Sequence, residues 1–304
     1  MKRLELLLIL VLLISAGCQT QTAVQPQSTN TAADMSVAAI TQESSPQRII
    51  SLSPPLTEML FAVGAGGQLV GRDSYSDFPQ EAKSIEDIGW TYGKYNMETV
   101  VNLKPDLVLA GEITTPEMVA SLENMGLRVE YFKNPVTLSD VYAMLVRVGQ
   151  LSGKTAQADS LIKDLQQLEA ELVNKLSKIS NRPMVFYELD ASDPSKPYTP
   201  GPGTLYSHLI AMAGGVNLGD QLGTTWAQIS LEQLLVDDPY FILLGDSAYG
   251  TTPESVAQRA GWQTLTAVKE GRVLPFDDNL LVRYGPRILD GLEALARILH
   301  PELF

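Results

Sequence analysis

Hydrophobic and polar residues follow the same pattern in two parts of the chain. Residues 98–111 read ETVVNLKPDLVLAG, and residues 232–245 read EQLLVDDPYFILLG. Each segment has a glutamate, an apolar stretch with helical spacing, a proline and a hydrophobic run that ends in glycine. The tetrapeptide TTPE also occurs twice, at 114–117 and 251–254. Matches in the same order predict an internal repeat of one structural unit.

Each repeat opens with an apolar strand, predicted at 49–52 and at 184–187. A turn rich in Gly, Pro and Ser follows, and then a helix, predicted at 57–63 and at 204–212. Strands that alternate with helices indicate a parallel sheet with crossover helices. Ligands bind such sheets at the carboxyl ends of the strands. We therefore expect an α/β fold of two lobes with central parallel sheets and a ligand cleft between them.

A long helical pattern separates the repeats. Residues 154–180 have apolar positions at helical spacing and contain no Pro or Gly, which predicts a helix of about 40 Å. A further helical stretch is predicted at 137–151, ended by Ser152-Gly153. The long helix is expected to join the lobes as one stiff connector. The predicted boundaries are 47–136 for the N-terminal lobe, 137–180 for the helical connector and 181–304 for the C-terminal lobe.

The beginning of the chain has the features of an export signal. Lys2 and Arg3 precede the apolar run LLLILVLLI at 6–14. This run is too short to span a bilayer, which needs about 20 residues, but it suits a signal peptide. The sequence SAGC that follows resembles a bacterial lipobox, in which Cys18 is acylated. Residues 1–17 are thus predicted to be a lipoprotein signal peptide; an ordinary secretory signal is the alternative.

Residues 18–46 are predicted to form a disordered tether, because they are rich in Gln, Thr, Ser and Ala and have no sustained apolar period. Cys18 is the only cysteine, so no intramolecular disulfide is possible. We expect a protein that is exported and lipid-anchored at the outer face of the cytoplasmic membrane or in the periplasm.

Charge and composition argue against several functions. The formal net charge of −13 disfavours nucleic acid, whose binding needs a basic surface. Two histidines, His208 and His300, are too few for a typical zinc or manganese carrier. No Gly-x-Ser-x-Gly elbow is present. We expect no enzymatic activity, no cofactor and no metal site.

Four segments carry a family resemblance. They are RIISLSPPLTEMLFAVGAGGQLVGRDSYSDFP at 48–79, NMETVVNLKPDLVLAG at 96–111, TTWAQISLEQLLVDDP at 224–239 and VRYGPRIL at 282–289. Together they resemble the periplasmic binding proteins for cobalamin, iron-siderophores and haem, most closely the cobalamin branch. The resemblance implies two lobes of Rossmann-like topology and a rigid helical connector. It also implies a monomer that delivers its ligand to the permease dimer of an ABC importer.

The resemblance also implies a ligand site. Aromatic side chains offer rigid contact area to a flat macrocycle. An aspartate often stands in the cobalamin branch where this chain has Asn279. The residues expected to bind ligand are Tyr75, Trp90, Tyr92, Trp226, Asn279 and Arg283. Tyr95 is a further candidate, and core packing is the alternative for any one of the aromatic residues.

Two glutamates are predicted to dock the permease. In the family, one surface glutamate on each lobe enters arginine pockets of the permease, and these positions correspond to Glu98 and Glu232. A carboxylate and an arginine can form a bidentate, orienting pair. The alternative is that both residues only favour the positive end of a helix.

The expected function is that of an exported solute-binding lipoprotein that captures cobalamin or a related corrinoid. A ferric siderophore would need more basic residues than Arg72, Arg283 and Arg287. Haem would need an axial ligand, for which Tyr75, Tyr92, Tyr95 and His208 are the candidates. Ferric siderophores and haem remain alternatives within the family, and a surface lipoprotein without a transport role is the alternative outside it.

Overall fold

A computed structural model describes residues 45–90 and 94–304. The predicted signal peptide, Cys18, nearly all of the tether and Tyr92 lie outside the described residues. Within these ranges, no helix combines the length and the apolar character needed to cross a bilayer.

The N-terminal lobe alternates strands and helices. Its elements are β1 (Ile49–Ser51), α1 (Pro54–Ala62), β2 (Leu69–Arg72), α2 (Met97–Asn102), β3 (Leu107–Gly111), α3 (Pro116–Asn124) and β4 (Val129–Phe132). The strands pair in the order β2-β1-β3-β4, and all three pairings are parallel. The carboxyl ends of all four strands therefore lie at one edge of the sheet.

Two helices and the C-terminal lobe follow. The elements are α4 (Leu138–Ser152), α5 (Thr155–Leu176), β5 (Met184–Glu188), β6 (Tyr198–Pro200), α6 (Leu205–Met212), β7 (Val216–Asn217), β8 (Trp226–Gln228), α7 (Leu231–Asp237), β9 (Phe241–Leu244), α8 (Pro253–Ala257), α9 (Thr266–Lys269), β10 (Val273–Pro275), α10 (Asn279–Val282) and α11 (Ile288–Leu299). Four strands form a parallel sheet in the order β7-β5-β9-β10, and β6 pairs with β8 in antiparallel orientation.

The two parallel sheets have the same strand order, as the sequence repeat predicts. The equivalence extends to single residues. Lys104 and Asp238, which precede the repeated prolines, are the non-glycine residues with positive φ in the described ranges, at 46° and 40°. The threonines of the repeated tetrapeptide cap equivalent helices: Thr115 accepts from the Met118 amide in α3, and Thr252 caps α8 in the same way.

Helix α1 begins at Pro54, three residues before the predicted start. Two consecutive prolines occupy its first turn, where a missing backbone N–H costs nothing and the fixed φ suits the helix. The prediction read these prolines as part of the preceding turn. As a result, Thr57 and Glu58 lie in the middle of a buried helix rather than at its start.

The predicted connector contains two helices. Gly153, with φ of 71°, ends α4, and α5 then runs for 22 residues, or about 33 Å. Helix α5 ends at Leu176, four residues before the predicted end. Helix α4 packs against α1, whereas α5 packs against both α4 and α11.

One hydrophobic core crosses from lobe to lobe. The same buried cluster contains Leu60 of α1, Leu145 of α4, Leu165 of α5 and Leu292 of α11. Because well-packed cores resist deformation, we expect this shared core to stiffen the junction of the lobes.

Candidate functional site

An aromatic pair stands beyond the carboxyl end of β2. The rings of Tyr75 and Trp90 meet edge to face, with centroids 5.6 Å apart and an interplanar angle of 73°. Trp90 is half-buried, but Tyr75 keeps 57% of its surface exposed. Edge-to-face contact is a favourable aromatic geometry, so the two residues that the sequence predicts as ligand contacts support each other on the N-terminal lobe.

A buried polar network holds the loop that carries Tyr75. The carboxylate of Asp73 accepts hydrogen bonds from the Tyr75 backbone N–H at 2.9 Å and from Ser76 Oγ at 2.5 Å. Ser76 Oγ lies 2.8 Å from Thr57 Oγ1, which donates to Ser51 Oγ. Burial raises the pKa of Asp73, although the hydrogen bonds from Ser76 and Tyr75 oppose the shift. Hydrogen bonds that involve Thr57 of α1 and Ser51 of β1 thus hold the loop in place.

A series of four aromatic rings lies at the C-terminal lobe. Trp226, Tyr206, Tyr187 and Phe276 follow one another edge to face, with successive centroids 6.1, 5.2 and 5.8 Å apart. Three of them are buried, whereas Trp226 keeps 53% of its surface exposed. The predicted ligand residue Trp226 is therefore the open end of an otherwise buried aromatic series.

Asp278 is the hydrogen-bond acceptor for two tyrosines of this aromatic series. The hydroxyls of Tyr187 and Tyr206 each donate to Asp278 Oδ1 at 2.8 Å. Burial raises the pKa of Asp278, while the two hydroxyls oppose the shift. Sequence reasoning missed these three residues. A usable signal existed, because Asp278 lies in the short segment after β10, near the strand end where ligands bind such sheets.

The segment 283–287 of the C-terminal lobe reaches across to the N-terminal lobe. Arg287 donates two hydrogen bonds to Glu58, from Nε at 3.0 Å and from Nη2 at 2.7 Å. Arg283 donates to Asp77 and lies 3.8 Å from a Glu58 oxygen. Asp77 lies in the loop after β2, and Arg283 directly follows α10, so a loop of the N-terminal lobe and the end of a short helix of the C-terminal lobe meet at this junction.

Burial and the neighbouring arginine charges have opposite effects on the pKa values of Glu58 and Asp77. Burial raises the pKa of Glu58, although the hydrogen bonds and charge of Arg287 and the charge of Arg283 oppose the shift. Partial burial also opposes ionisation of Asp77, but its hydrogen bond to Arg283 prevails and lowers its pKa. Arg283, which the sequence predicts as a ligand contact, therefore has its charge matched by two carboxylates of the opposite lobe.

Two cavities adjoin this junction. A cavity of about 380 Å³ is lined by Asn279 and Arg283, with Asp77, Lys83 and Asp277 among its other polar residues. A second cavity of about 390 Å³ is more apolar and lies beside Glu58 and Phe61. The predicted residues Tyr75, Trp90 and Trp226 line neither of these two cavities. The structure thus separates the predicted ligand set into exposed aromatic residues on each lobe and a polar pair at the junction.

The predicted docking glutamates occupy equivalent positions. Glu98 is the second residue of α2, and Glu232 is the second residue of α7. Asn96 caps the first helix by accepting from the Thr99 amide, and Ser230 caps the second in the same manner. Both glutamate side chains are exposed.

Two further candidates lie elsewhere. Tyr95 is buried in the hydrophobic core, where its hydroxyl donates to the Leu52 carbonyl at 3.0 Å and burial raises its pKa to about 12. The expectation that Tyr95 faces the ligand is therefore wrong. His208 is half-buried on α6; burial lowers its pKa, while Glu169 and Asp140 of the connector helices oppose that shift. In the described ranges, no three potential metal-binding side chains are grouped to hold a metal ion.

Comparison with known proteins agrees with this architecture. A family model described as periplasmic binding protein matches residues 49–280. The chain belongs to the periplasmic binding protein family. It is therefore a substrate-binding protein of ABC import, a class of solute-binding proteins that work with membrane permease components.

Three similar proteins give this result more detail. An uncharacterized ABC transporter substrate-binding lipoprotein of Bacillus subtilis is 30% identical over 275 residues, which cover 89% of this chain and 85% of that protein. A vitamin B12-binding protein of Pectobacterium atrosepticum is 32% identical over 248 residues, with coverage of 80% and 85%. The solved structure of a periplasmic haem-binding protein from Roseiflexus is 26% identical, with a TM-score of 0.76 and coverage of 85% and 99%.

Proposed function

We propose that this periplasmic binding protein captures cobalamin or a related corrinoid outside the cytoplasm and delivers it to an ABC importer. The observation that carries this proposal is one exposed aromatic side chain on each lobe. These are Tyr75, which packs against the half-buried Trp90, and Trp226. A corrin is a large, nearly flat ring, and aromatic side chains bind such surfaces with little loss of conformational freedom.

The arginines near the site are already paired with carboxylates, which favours a corrinoid over an anionic ligand. Arg283 and Arg287 pair with Glu58 and Asp77, and Arg72 pairs with Asp87 at 2.9 Å. An anionic ferric siderophore, or the carboxylates of haem, would have to compete for these arginines. The peripheral amides of a corrinoid carry no charge and need no free cation. The similarity to a vitamin B12-binding protein supports the same choice.

Haem is the second candidate, because the haem-binding protein from Roseiflexus has a similar fold and Tyr75 offers an exposed hydroxyl. Tyrosine is an established axial ligand of haem iron. If haem were the ligand, its absorption band would shift on binding, and Tyr75→Phe would abolish that shift.

Titration of the purified protein separates the candidates. We expect cobalamin to quench the tryptophan fluorescence, whereas haemin and a ferric siderophore bind at least tenfold more weakly. Trp226→Ala should weaken cobalamin binding by about 1–3 kcal/mol, by analogy with the burial of one large apolar side chain. Trp262→Phe is the matched control, since Trp262 is fully buried and its loss should leave the quenching unchanged. Unchanged affinity in both Trp90→Ala and Trp226→Ala would contradict the proposed site.

Delivery requires attachment and docking. We infer that Cys18 carries the lipid anchor and that Glu98 and Glu232 meet arginines of the permease dimer. The name of the Bacillus subtilis relative supports the anchor, and the equivalent, exposed positions of the two glutamates support docking on a pseudo-symmetric partner.

A further inference from the structure

One arginine of the C-terminal lobe lies beside two carboxylates of the N-terminal lobe. Arg283 donates a hydrogen bond to Asp77 and lies 3.8 Å from a Glu58 oxygen. The Glu58 side chain is 2% exposed and accepts two hydrogen bonds from Arg287, whereas the Asp77 side chain is 50% exposed. Asp77 is therefore the carboxylate of this group that a ligand can reach, and Glu58 is the buried, structural one.

Asp77 and Arg283 lie together in the wall of the polar cavity of about 380 Å³, which Asn279 also lines. Glu58 belongs to the wall of the more apolar cavity, and its partner Arg287 lines both. The sequence predicts Asn279 and Arg283 as ligand contacts. A ligand group that enters the polar cavity thus meets Arg283 with the carboxylate of Asp77 already bound to it.

An arginine that is paired in this way distinguishes a neutral amide from a carboxylate. A primary amide has both a donor and an acceptor, so its N–H can bind Asp77 while its carbonyl accepts a hydrogen bond from Arg283. A carboxylate has acceptors only. It gains Arg283 only by displacing Asp77, and it then lies beside an aspartate of like charge, which costs affinity.

The charge that repels a carboxylate is present at neutral pH. Partial burial opposes ionisation of Asp77, but its hydrogen bond to Arg283 prevails and lowers its pKa. Asp277 adds a second carboxylate to the wall of the polar cavity, and Lys83 adds a second positive charge. The positive charges of Arg283 and Lys83 are thus offset by two carboxylates in the same wall.

We infer that Asp77 determines ligand specificity: it neutralises Arg283 in the wall of the polar cavity, so that this wall binds a primary amide of a corrinoid and disfavours a carboxylate. This inference rests on the proposed corrinoid function. In this role Asp77 selects against a competing class of ligand, by the like charge that it presents to a carboxylate.

The experiment compares cobinamide and cobyrinic acid, which share the corrin ring but carry amides and carboxylic acids, respectively, at its periphery. The wild-type protein should prefer cobinamide by more than tenfold. Asp77→Asn keeps the size of the side chain and removes its charge, so a carboxylate of cobyrinic acid can pair with Arg283 without a competitor. This substitution should reduce the preference by about tenfold or more, the effect of one hydrogen bond to a charged group.

Glu130→Gln is the matched control. Glu130 accepts hydrogen bonds from Arg147 at 2.6 and 2.9 Å, and it lines neither of the two cavities. Its substitution removes the same charge and also leaves an arginine without its carboxylate, but it should keep the wild-type preference. Asp77→Glu, which retains the charge, should keep most of that preference.

A double variant tests whether Arg283 mediates the effect. Asp77→Asn combined with Arg283→Gln should lose the affinity for cobyrinic acid that Asp77→Asn alone gains, because the carboxylate then has no cation to pair with. Thermal unfolding of each variant shows whether it is folded. Asp77→Ser also removes the charge and provides the same test if Asp77→Asn does not fold.

The measured affinities distinguish failure of the function from failure of the assignment. If the wild-type protein binds neither cobalamin nor cobinamide, the proposed function fails and this assignment fails with it. If it binds them, but Asp77→Asn and Asp77→Ser leave the ratio of the dissociation constants of cobinamide and cobyrinic acid unchanged, the assignment alone is overturned.

Discussion

The carboxylate of Glu58 on the N-terminal lobe accepts two hydrogen bonds from the guanidinium of Arg287 on the C-terminal lobe, at 3.0 and 2.7 Å. The Glu58 side chain is almost fully buried, and the Arg287 guanidinium also lies 3.9 Å from the Phe78 ring centroid. This bidentate pair ties the two lobes together directly, in addition to the core that they share.

Arg287→Met should therefore destabilise the protein by about 3 kcal/mol or more, because it leaves a buried carboxylate without its main partner. Urea unfolding measures the change. The control is Arg297→Met, since Arg297 pairs with Glu293 on the exposed side of helix α11, and such pairs contribute less than about 1 kcal/mol. Equal effects of the two substitutions would show that the interlobe pair has no special role.

Ligand binding should change the distance between the lobes only slightly. The continuous helix α5, the shared core and the Glu58–Arg287 pair all resist closure. Small-angle scattering with and without ligand should give nearly the same radius of gyration. A marked decrease on binding would contradict a rigid junction.

Replacement of Glu98 and Glu232 by Ala should separate transport from binding. Uptake should fall at least tenfold, because the permease arginines lose their partners, and such losses cost about 2–5 kcal/mol. Ligand affinity should remain unchanged. Glu117 and Glu254 provide the matched control, since they are also exposed, repeat-equivalent glutamates in the first turns of α3 and α8. Normal uptake by the first double variant would refute docking; lost ligand affinity would place these residues in the ligand site.

Cys18→Ser should prevent acylation. We expect the variant to be released from membranes or to stay unprocessed, which fractionation and mass spectrometry of the N-terminus distinguish. Retention in the membrane with normal processing would argue for an ordinary secretory signal and another means of attachment.

His208 should make stability depend on pH. Burial lowers its folded pKa below the ordinary value of 6.5, so the folded state binds the proton less readily than the unfolded state. The stability that this provides is present above pH 6.5 and is lost as the pH falls through the folded pKa. His208→Gln should reduce the loss of stability between about pH 7 and 5, measured by urea unfolding at each pH. An unchanged pH profile would mean that His208 titrates normally.

Features that depend on local pattern could be predicted from the sequence alone. Hydrophobic periodicity and the two repeated segments predicted two α/β lobes, and the structure gives both sheets the same strand order. The repeated glutamates, caps and prolines occupy equivalent positions because each depends only on its neighbours within a turn or two. The same reasoning missed the start of α1, because prolines favour both a turn and the first turn of a helix.

Contacts between distant side chains depend on the three-dimensional fold and could not be predicted from local pattern. Glu58 and Arg287 are separated by 229 positions, and Tyr187 and Asp278 by 91, so no local period connects either pair. The fold also buries Tyr95 in the core, although its position in the sequence was equally consistent with a side chain that faces the cleft. The physical reason is that parallel strand order and helix packing set which strand ends and loops become neighbours, whereas periodicity sets only which face of each element is buried.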